Sequence, residues 1–296
     1  LLLLRNQAVK VQLPDYDYLK KYLDGYTLSA THLNRYLSCP VAFYYENLLR
    51  VPTAKSETGC IGTAVHDALN IYFKAFVENK AMPPIAVLIN AFEKRMHDQY
   101  IYFNTATFPH KLENAKLYLS AYYEENNTLW TEQTNVVTEK MLQTMVGEAP
   151  IKGFLDKIVL DGNQAHVIDY KTGNPANAIK KMNAPVPNYE GDDLDKKYGG
   201  QYWRQMMFYY FLVNGDQRNP WKMQSAAVSC VEKDRTTGKI VPDLKLYPTK
   251  EGIQMVGGLI QDTYANIMAG KFDEGCNKIG DGNRDCQWCT FQSKLK

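Results

Sequence analysis

The sequence predicts an α/β fold carrying a helical insertion, on three observations. Three β-rich runs at 136–142, 151–160 and 165–170 are separated by turn residues, and Asp161-Gly162-Asn163 is a strong hairpin turn. A helical pattern at about 198–213 and another strand-like run at 226–231 follow them. Upstream, Gly62 to about Glu78 shows helical spacing, and residues 85–130 are without strand alternation.

In chain order, residues 1–27 have weak periodicity, and Ser29 then offers an N-cap for a short helix over 31–37 that Cys39-Pro40 ends. A second helical piece, 41–49, carries Phe43, Tyr44, Leu48 and Leu49, and Pro52 with Ser56, Thr58 and Gly59 marks a loop. From Gly62 to about Glu78, Val65, Leu69, Tyr72, Phe73 and Phe76 recur as one core-facing stripe, with His66 beside it. After Pro83-Pro84, residues 85–130 are rich in Leu, Ala, Tyr, Glu and Lys and read as an insertion of two or three helices. The three strands follow, then a polar, proline-containing stretch over 173–197, and then the last helix and strand.

A chain of 296 residues can bury a large core. We expect a single domain over 1–296, with an N-terminal helical segment 1–60, a core helix and insertion 61–133, an αβ core 134–232 and a cysteine-bearing segment 233–296. No apolar run approaches the roughly 20 residues of a bilayer span. The net charge of +2 means that any polyanion must be met by local basic patches. Six cysteines, at 39, 60, 230, 276, 286 and 289, without a secretory signal favour metal binding over disulfides and predict a reducing cytoplasmic setting. The first residue is Leu, so a fragment of a longer polypeptide is expected.

The chemistry concentrates in Val167-Ile168-Asp169-Tyr170-Lys171-Thr172-Gly173, with Asp156 on the preceding strand. Residues two apart on a strand share a face, so Asp169 and Lys171 address one small volume. Phosphodiester hydrolysis needs a divalent cation on hard oxygen ligands, which suit Mg²⁺ or Mn²⁺. Asp156 and Asp169 would supply them, with the backbone carbonyl of Tyr170 as a further donor. Lys171 would orient the attacking water or meet the developing charge, and Gly173 lets a substrate approach the backbone. Ordinary exposed strand charges are the alternative. Gln205 and Tyr209 form an i, i+4 pair on an aromatic helix, with Gln201 on the same face. They either pack in the core or hold a phosphate or Lys171. Glu139, mid-strand, is either an exposed residue or a support for the site.

These segments resemble the PD-(D/E)XK nuclease superfamily, and specifically the RecB-like and AddB-like exonuclease domains of helicase-nucleases. Residues 28–45 look like that family's opening segment. Gly62-Thr63-Ala64-Val65-His66 looks like its G-x-x-x-H helix. Gly153-Phe154-Leu155-Asp156 and Ile168-Asp169-Tyr170-Lys171 look like its acidic and D-x-K motifs, and Gln205-Met206-Met207-Phe208-Tyr209 like its Q-x-x-x-Y motif. The resemblance implies a restriction-endonuclease-like core, with a central mixed sheet flanked by helices, and His66 as a third metal ligand. It implies a metal-dependent DNA exonuclease acting on single-stranded ends in DNA repair, joined to or associated with a helicase motor. A non-catalytic DNA-end-binding or partner-docking domain on the same fold is the alternative.

Cys286-Gln287-Trp288-Cys289 with distant Cys39 resembles the iron-sulfur staple of AddB-like nucleases. That family's last ligand would fall at Leu295, which leaves Cys276 as the nearby substitute. Thiolates at 39, 276, 286 and 289 suit a 4Fe-4S cluster or a zinc ion, and plain reduced thiols are the alternative. Cys60 and Cys230 read as structural.

Overall fold

The three β-rich runs all form strands, and they join β4 and β5 in one sheet. In a computed structural model describing residues 16–131, 135–274 and 286–295, β1 (Val136–Val146), β2 (Ala149–Asp161), β3 (Gln164–Lys171), β4 (Lys222–Cys230) and β5 (Leu244–Leu246) form a five-stranded sheet in the order β1-β2-β3-β4-β5. β2 and β3 are antiparallel, with Lys157 opposite Ile168, and turn through Gly162 at φ +57°, a conformation glycine adopts without strain. β3 and β4 are parallel, with Asp169 opposite Val228 and Lys171 opposite Cys230, whereas β4 and β5 are antiparallel. The sheet is therefore mixed and flanked by helices, as the family resemblance implies.

A parallel pair needs a crossover. Here it consists of α7 (Pro175–Lys181), α8 (Leu194–Tyr198) and α9 (Gln201–Gly215). The first two lie in the polar stretch that shows no periodicity. They are too short to display it, and side-chain caps from Asn174 and Asp193 start them.

The remaining described helices are α1 (Tyr16–Leu23), α2 (Ala30–Ser38), α3 (Pro40–Phe43), α4 (Glu57–Asn79), α5 (Ile85–Asp98), α6 (Phe108–Thr131), α10 (Lys250–Met268) and α11 (Gln287–Leu295). A π-helical turn, Tyr44–Leu48, extends α3. Ser29 Oγ accepts from the amide of His32 at 3.2 Å, which makes it the N-cap that the sequence predicts. The expected loop at 52–59 is shorter than predicted. Ser56 Oγ caps Gly59 at 3.1 Å and Glu57 meets the positive end of the helix, so α4 starts at Glu57. No described helix is long and apolar enough to cross a membrane.

The described residues fall into two compact units. One comprises the described parts of Leu1–Thr53, Met145–Ile151 and Gly257–Lys296. Its core is aromatic: Phe43 meets Tyr36 edge-on at 5.6 Å and stacks on Phe272 at 6.1 Å, while Tyr36 donates to the Lys271 carbonyl at 2.7 Å. The other comprises the described parts of Ala54–Thr144 and Lys152–Val256. There the predicted stripe of α4 (Val65, Leu69, Tyr72, Phe73, Phe76) is buried with Leu88 and Phe92 of α5, Leu119 and Trp130 of α6, and Ile168 and Tyr170 of β3.

Candidate active site

The alternation of β3 divides its side chains. Tyr170 points into the core of α4 to α6, with its ring 6.3 Å from that of Tyr122. Asp169 and Lys171 point to the opposite face, where α9 lies. Gly153 on β2 helps that helix approach, because a Cβ there would stand 2.8 Å from a Leu212 methyl.

Asp169 is buried, with 2% of its surface exposed. Its Oδ1 accepts from Tyr209 Oη at 2.8 Å and from Gln205 Nε2 at 3.0 Å, and Gln205 Nε2 also donates to Tyr209 Oη at 2.7 Å. Lys171 Nζ stands 2.6 Å from Oδ2 in an ion pair. Of the two readings of Gln205 and Tyr209, the structure thus favours a polar one: each gives its donor to a buried carboxylate. Gln201 heads α9 one turn earlier. Burial raises the pKa of Asp169, and the Asp156 charge adds to this, against the pull of Lys171. For Lys171, burial acts downward, but the Asp169 charge outweighs it and the ammonium is favoured. The Tyr209 hydroxyl is held well above its usual range by burial and then by the Asp169 charge, so it stays a donor.

Asp156 is held from two elements. Its Oδ2 accepts from the Tyr170 amide at 2.8 Å, and its Oδ1 faces His66 Nδ1 at 3.2 Å. His66 rides on α4, which comes close to the end of β3: a Cβ at Gly62 would stand 3.1 Å from Thr172 Oγ1. Burial acts to lower the His66 pKa, yet its hydrogen bond to Asp156 and the charges of Asp156 and Asp169 leave it raised. Glu139 completes this group. One ligand atom from each of His66, Glu139 and Asp156 lies within 4.8 Å of the others. Glu139 has φ +46° in the middle of β1. An L-residue in the left-handed region costs on the order of 1–3 kcal/mol, and such strain concentrates where a side chain must be aimed. Burial and then the neighbouring Asp156 charge raise the Glu139 pKa.

The sequence pairs Asp156 with Asp169 as metal ligands and adds His66. The structure groups His66 and Asp156 with Glu139, while Asp169 adjoins them facing Gln205, Tyr209 and Lys171. The signal that could have promoted Glu139 is an acid in a strand neighbouring that of Asp156, but its backbone twist is invisible in sequence. Two carboxylates and one imidazole form a hard, oxygen-rich donor set that fits Mg²⁺ or Mn²⁺. Next to Asp156, the Lys157 ammonium is buried above Phe73 at 4.3 Å, with Trp130 at 5.6 Å and Tyr170 at 5.9 Å. Burial lowers its pKa to about 7.

In the other unit, Cys39 Sγ lies 3.4 Å from Cys289 Sγ and 3.8 Å from Cys286 Sγ. Burial acts to raise the Cys286 pKa, but the backbone amides of Cys289 and Trp288 outweigh it, and its pKa is lowered. Trp288 stacks on Tyr45 at 4.8 Å and donates to Glu46 at 2.7 Å, which seats α11 and its two cysteines beside Cys39. Three thiols so placed suit a thiophilic metal. Cys276 lies outside the described residues, and Cys60 and Cys230 are buried elsewhere.

A mixed sheet flanked by helices, with an acid and a lysine alternating on its central strand beside an acid-histidine group, defines the restriction-endonuclease-like class of α/β proteins. The sequence profile of the PD-(D/E)XK nuclease superfamily matches residues 27–293, and the chain belongs to that superfamily. No curated protein matches it. Among solved structures, the "Putative exonuclease" from Eubacterium rectale is similar, with a TM-score of 0.52 at 13% identity, covering 95% of this chain and 93% of that one. SSO0001 has a TM-score of 0.32 at 15% identity, covering 86% and 87%. Protein VC1899 from Vibrio cholerae has 0.22 at 13%, covering 86% and 60%. The first of these shares the fold of this chain.

Proposed function

We propose that the chain is a Mg²⁺- or Mn²⁺-dependent deoxyribonuclease that hydrolyses phosphodiester bonds exonucleolytically at single-stranded DNA ends. The observation that carries this reading is the ion pair of buried Asp169 with half-buried Lys171, fastened by Gln205 and Tyr209 and adjoining the His66–Glu139–Asp156 group. His66, Glu139, Asp156 and Asp169 would hold the cation, with the carbonyl of Tyr170 as a further donor. A divalent ion so bound neutralises the phosphate and lowers the pKa of a water.

The protein's own groups do the rest. Asp169 keeps the Lys171 ammonium charged and in place, so that it faces the attacking water or the scissile phosphate. Gln205 and Tyr209 fix the carboxylate from behind, and burial of Asp169 keeps bulk water off its side of the pair, while half-buried Lys171 stays open to a substrate. The Cys39, Cys286 and Cys289 thiols, with Cys276, would hold an iron-sulfur cluster or zinc that clamps the chain ends. The resemblance to RecB-like and AddB-like domains supports a helicase motor as partner.

Asp169→Ala and Lys171→Ala should each abolish Mn²⁺-dependent release of nucleotides from end-labelled single-stranded DNA while circular dichroism stays unchanged. Undiminished release by either variant would remove the assignment. Binding of DNA without cleavage by the unaltered protein, under every divalent metal tried, would favour a non-catalytic end-binding domain.

A further inference from the structure

Beside the catalytic lysine, the ring of Tyr202 has two cations on it. Lys171 Nζ lies 5.0 Å from its centroid, and so does Lys181 Nζ, from the last turn of α7. The two ammonium groups are therefore no farther apart than the sum of those distances. Tyr202 lies outside the Q-x-x-x-Y motif of α9, which runs from Gln205 to Tyr209.

A lysine over an aromatic ring is common on protein surfaces. Here, however, the backbone is built to bring these groups together. Gly200, immediately before α9, has its Cα against the last turn of α7: a Cβ there would lie 2.2 Å from the Lys181 carbonyl oxygen and 2.5 Å from its carbon. Both are backbone atoms that cannot step aside, so only glycine permits the contact. The Gly200 amide donates to the Asn183 carbonyl at 2.8 Å, locking the same junction. Arg204, buried to 2% exposure, donates to the Gly199 carbonyl and pairs with Asp195 at 3.2 Å, holding the corner from beneath. Two cations on one ring repel each other; Asp169 balances Lys171, whereas no carboxylate pairs with Lys181 among the described residues, so an anion beside Lys181 makes the arrangement favourable. A nucleic-acid strand offers evenly spaced anions.

We propose that Lys181 is a second phosphate anchor, binding the strand phosphate next to the scissile one, and that Tyr202 is a positioning residue that aligns Lys171 and Lys181 through its ring. This deepens the nuclease reading and rests on it for the role of Lys171. The anchor itself is independent of cleavage and can be measured without it.

The test uses the full chain with a fluorescein-labelled oligothymidylate, read by anisotropy in EDTA across a salt series, and in parallel by Mn²⁺-dependent cleavage kinetics. Lys181→Ala should weaken binding about three- to tenfold and flatten the slope of log affinity against log salt by about 0.7, the contribution of one single-strand phosphate contact. Lys181→Arg should restore both. In cleavage, Lys181→Ala should raise KM with little change in kcat. Tyr202→Leu should lower kcat at least about tenfold, whereas Tyr202→Phe, which keeps the ring, should match the unaltered protein.

Unchanged affinity and salt slope in Lys181→Ala overturn the anchor, and equal damage from Tyr202→Phe and Tyr202→Leu overturns the role of the ring. If the unaltered protein cleaves nothing, the nuclease reading and the positioning role of Tyr202 fail, while the EDTA binding series still decides the anchor.

Discussion

Tyr209→Phe removes a single oxygen from the candidate site and leaves the packing of the ring in place. That hydroxyl gives its proton to Asp169 Oδ1 at 2.8 Å and accepts from Gln205 Nε2 at 2.7 Å. Its loss leaves Oδ1 with one donor, Gln205 at 3.0 Å, in a pocket where water cannot substitute because Asp169 is 2% exposed. A hydrogen bond to a charged group contributes about 1.5–3 kcal/mol, so the placed carboxylate should become about 10- to 100-fold less favoured. Partners of metal-site residues show the same range. We expect kcat for single-stranded DNA to fall by that factor and the Mn²⁺ concentration for half-maximal rate to rise. Gln205→Ala should behave alike. The double variant should lose less than the product of the two, because both donors serve one oxygen. Initial rates over a Mn²⁺ titration, with melting curves as a folding control, make the measurement. A Tyr209→Phe protein with ordinary rate and metal requirement would refute the claim that α9 holds the site through Asp169.

Other outcomes follow from the same geometry. Glu139→Gly and Glu139→Ala should both lose Mn²⁺ affinity about tenfold, but the glycine variant should be the more stable by about 1 kcal/mol, because only it relieves the φ +46° backbone; urea unfolding showing alanine at least as stable would contradict this. Asp216 ends α9 and accepts from the Gln143 amide at 3.1 Å, and hydrogen bonds from Arg218 in the first place lower its pKa from 3.8 to about 2. A depressed carboxyl stabilises the fold above its unfolded pKa, so its contribution should be full above about pH 5 and lost as pH falls towards 2. Because Arg218 is exposed and screened, the contribution is smaller than the pKa shift by itself implies. The stability gap between the unaltered protein and Asp216→Asn should therefore close between pH 5 and 2, and an equal gap at both ends would count against it. Protein purified without oxygen should carry iron or zinc that Cys39→Ser loses and Cys60→Ser keeps; equal metal in both variants, measured by mass spectrometry, would dismiss the thiol site.

Much of this architecture is legible in the residues. The three β-rich runs, the Asp161-Gly162-Asn163 turn and the stripe of α4 each rest on local composition, periodicity or turn chemistry, and the strands and helix appear where those patterns stand. Asp169 and Lys171 share a face for the same local reason. By contrast, α7 and α8 are too short to show a period, and α10 carries Gly252, Gly257 and Gly258, which blur one. Helix α4 starts earlier than its sequence predicts, because Thr58 and Gly59 are loop-type residues while the decisive feature is a hydrogen bond from the Gly59 amide to Ser56.

The order of residues supplies the chemical groups and their local directions: Asp156 on one strand, Asp169 and Lys171 on one face of the next, His66 beside a helical stripe. Their company comes from the packed fold. It brings Glu139 to His66 and Asp156 through a twisted backbone, turns Asp169 towards Gln205 and Tyr209, and presses α7 against Gly200 so that Lys181 and Lys171 share the ring of Tyr202. These relations depend on how sheet and helices pack across long stretches of chain, whereas periodicity reports only what lies within a few residues.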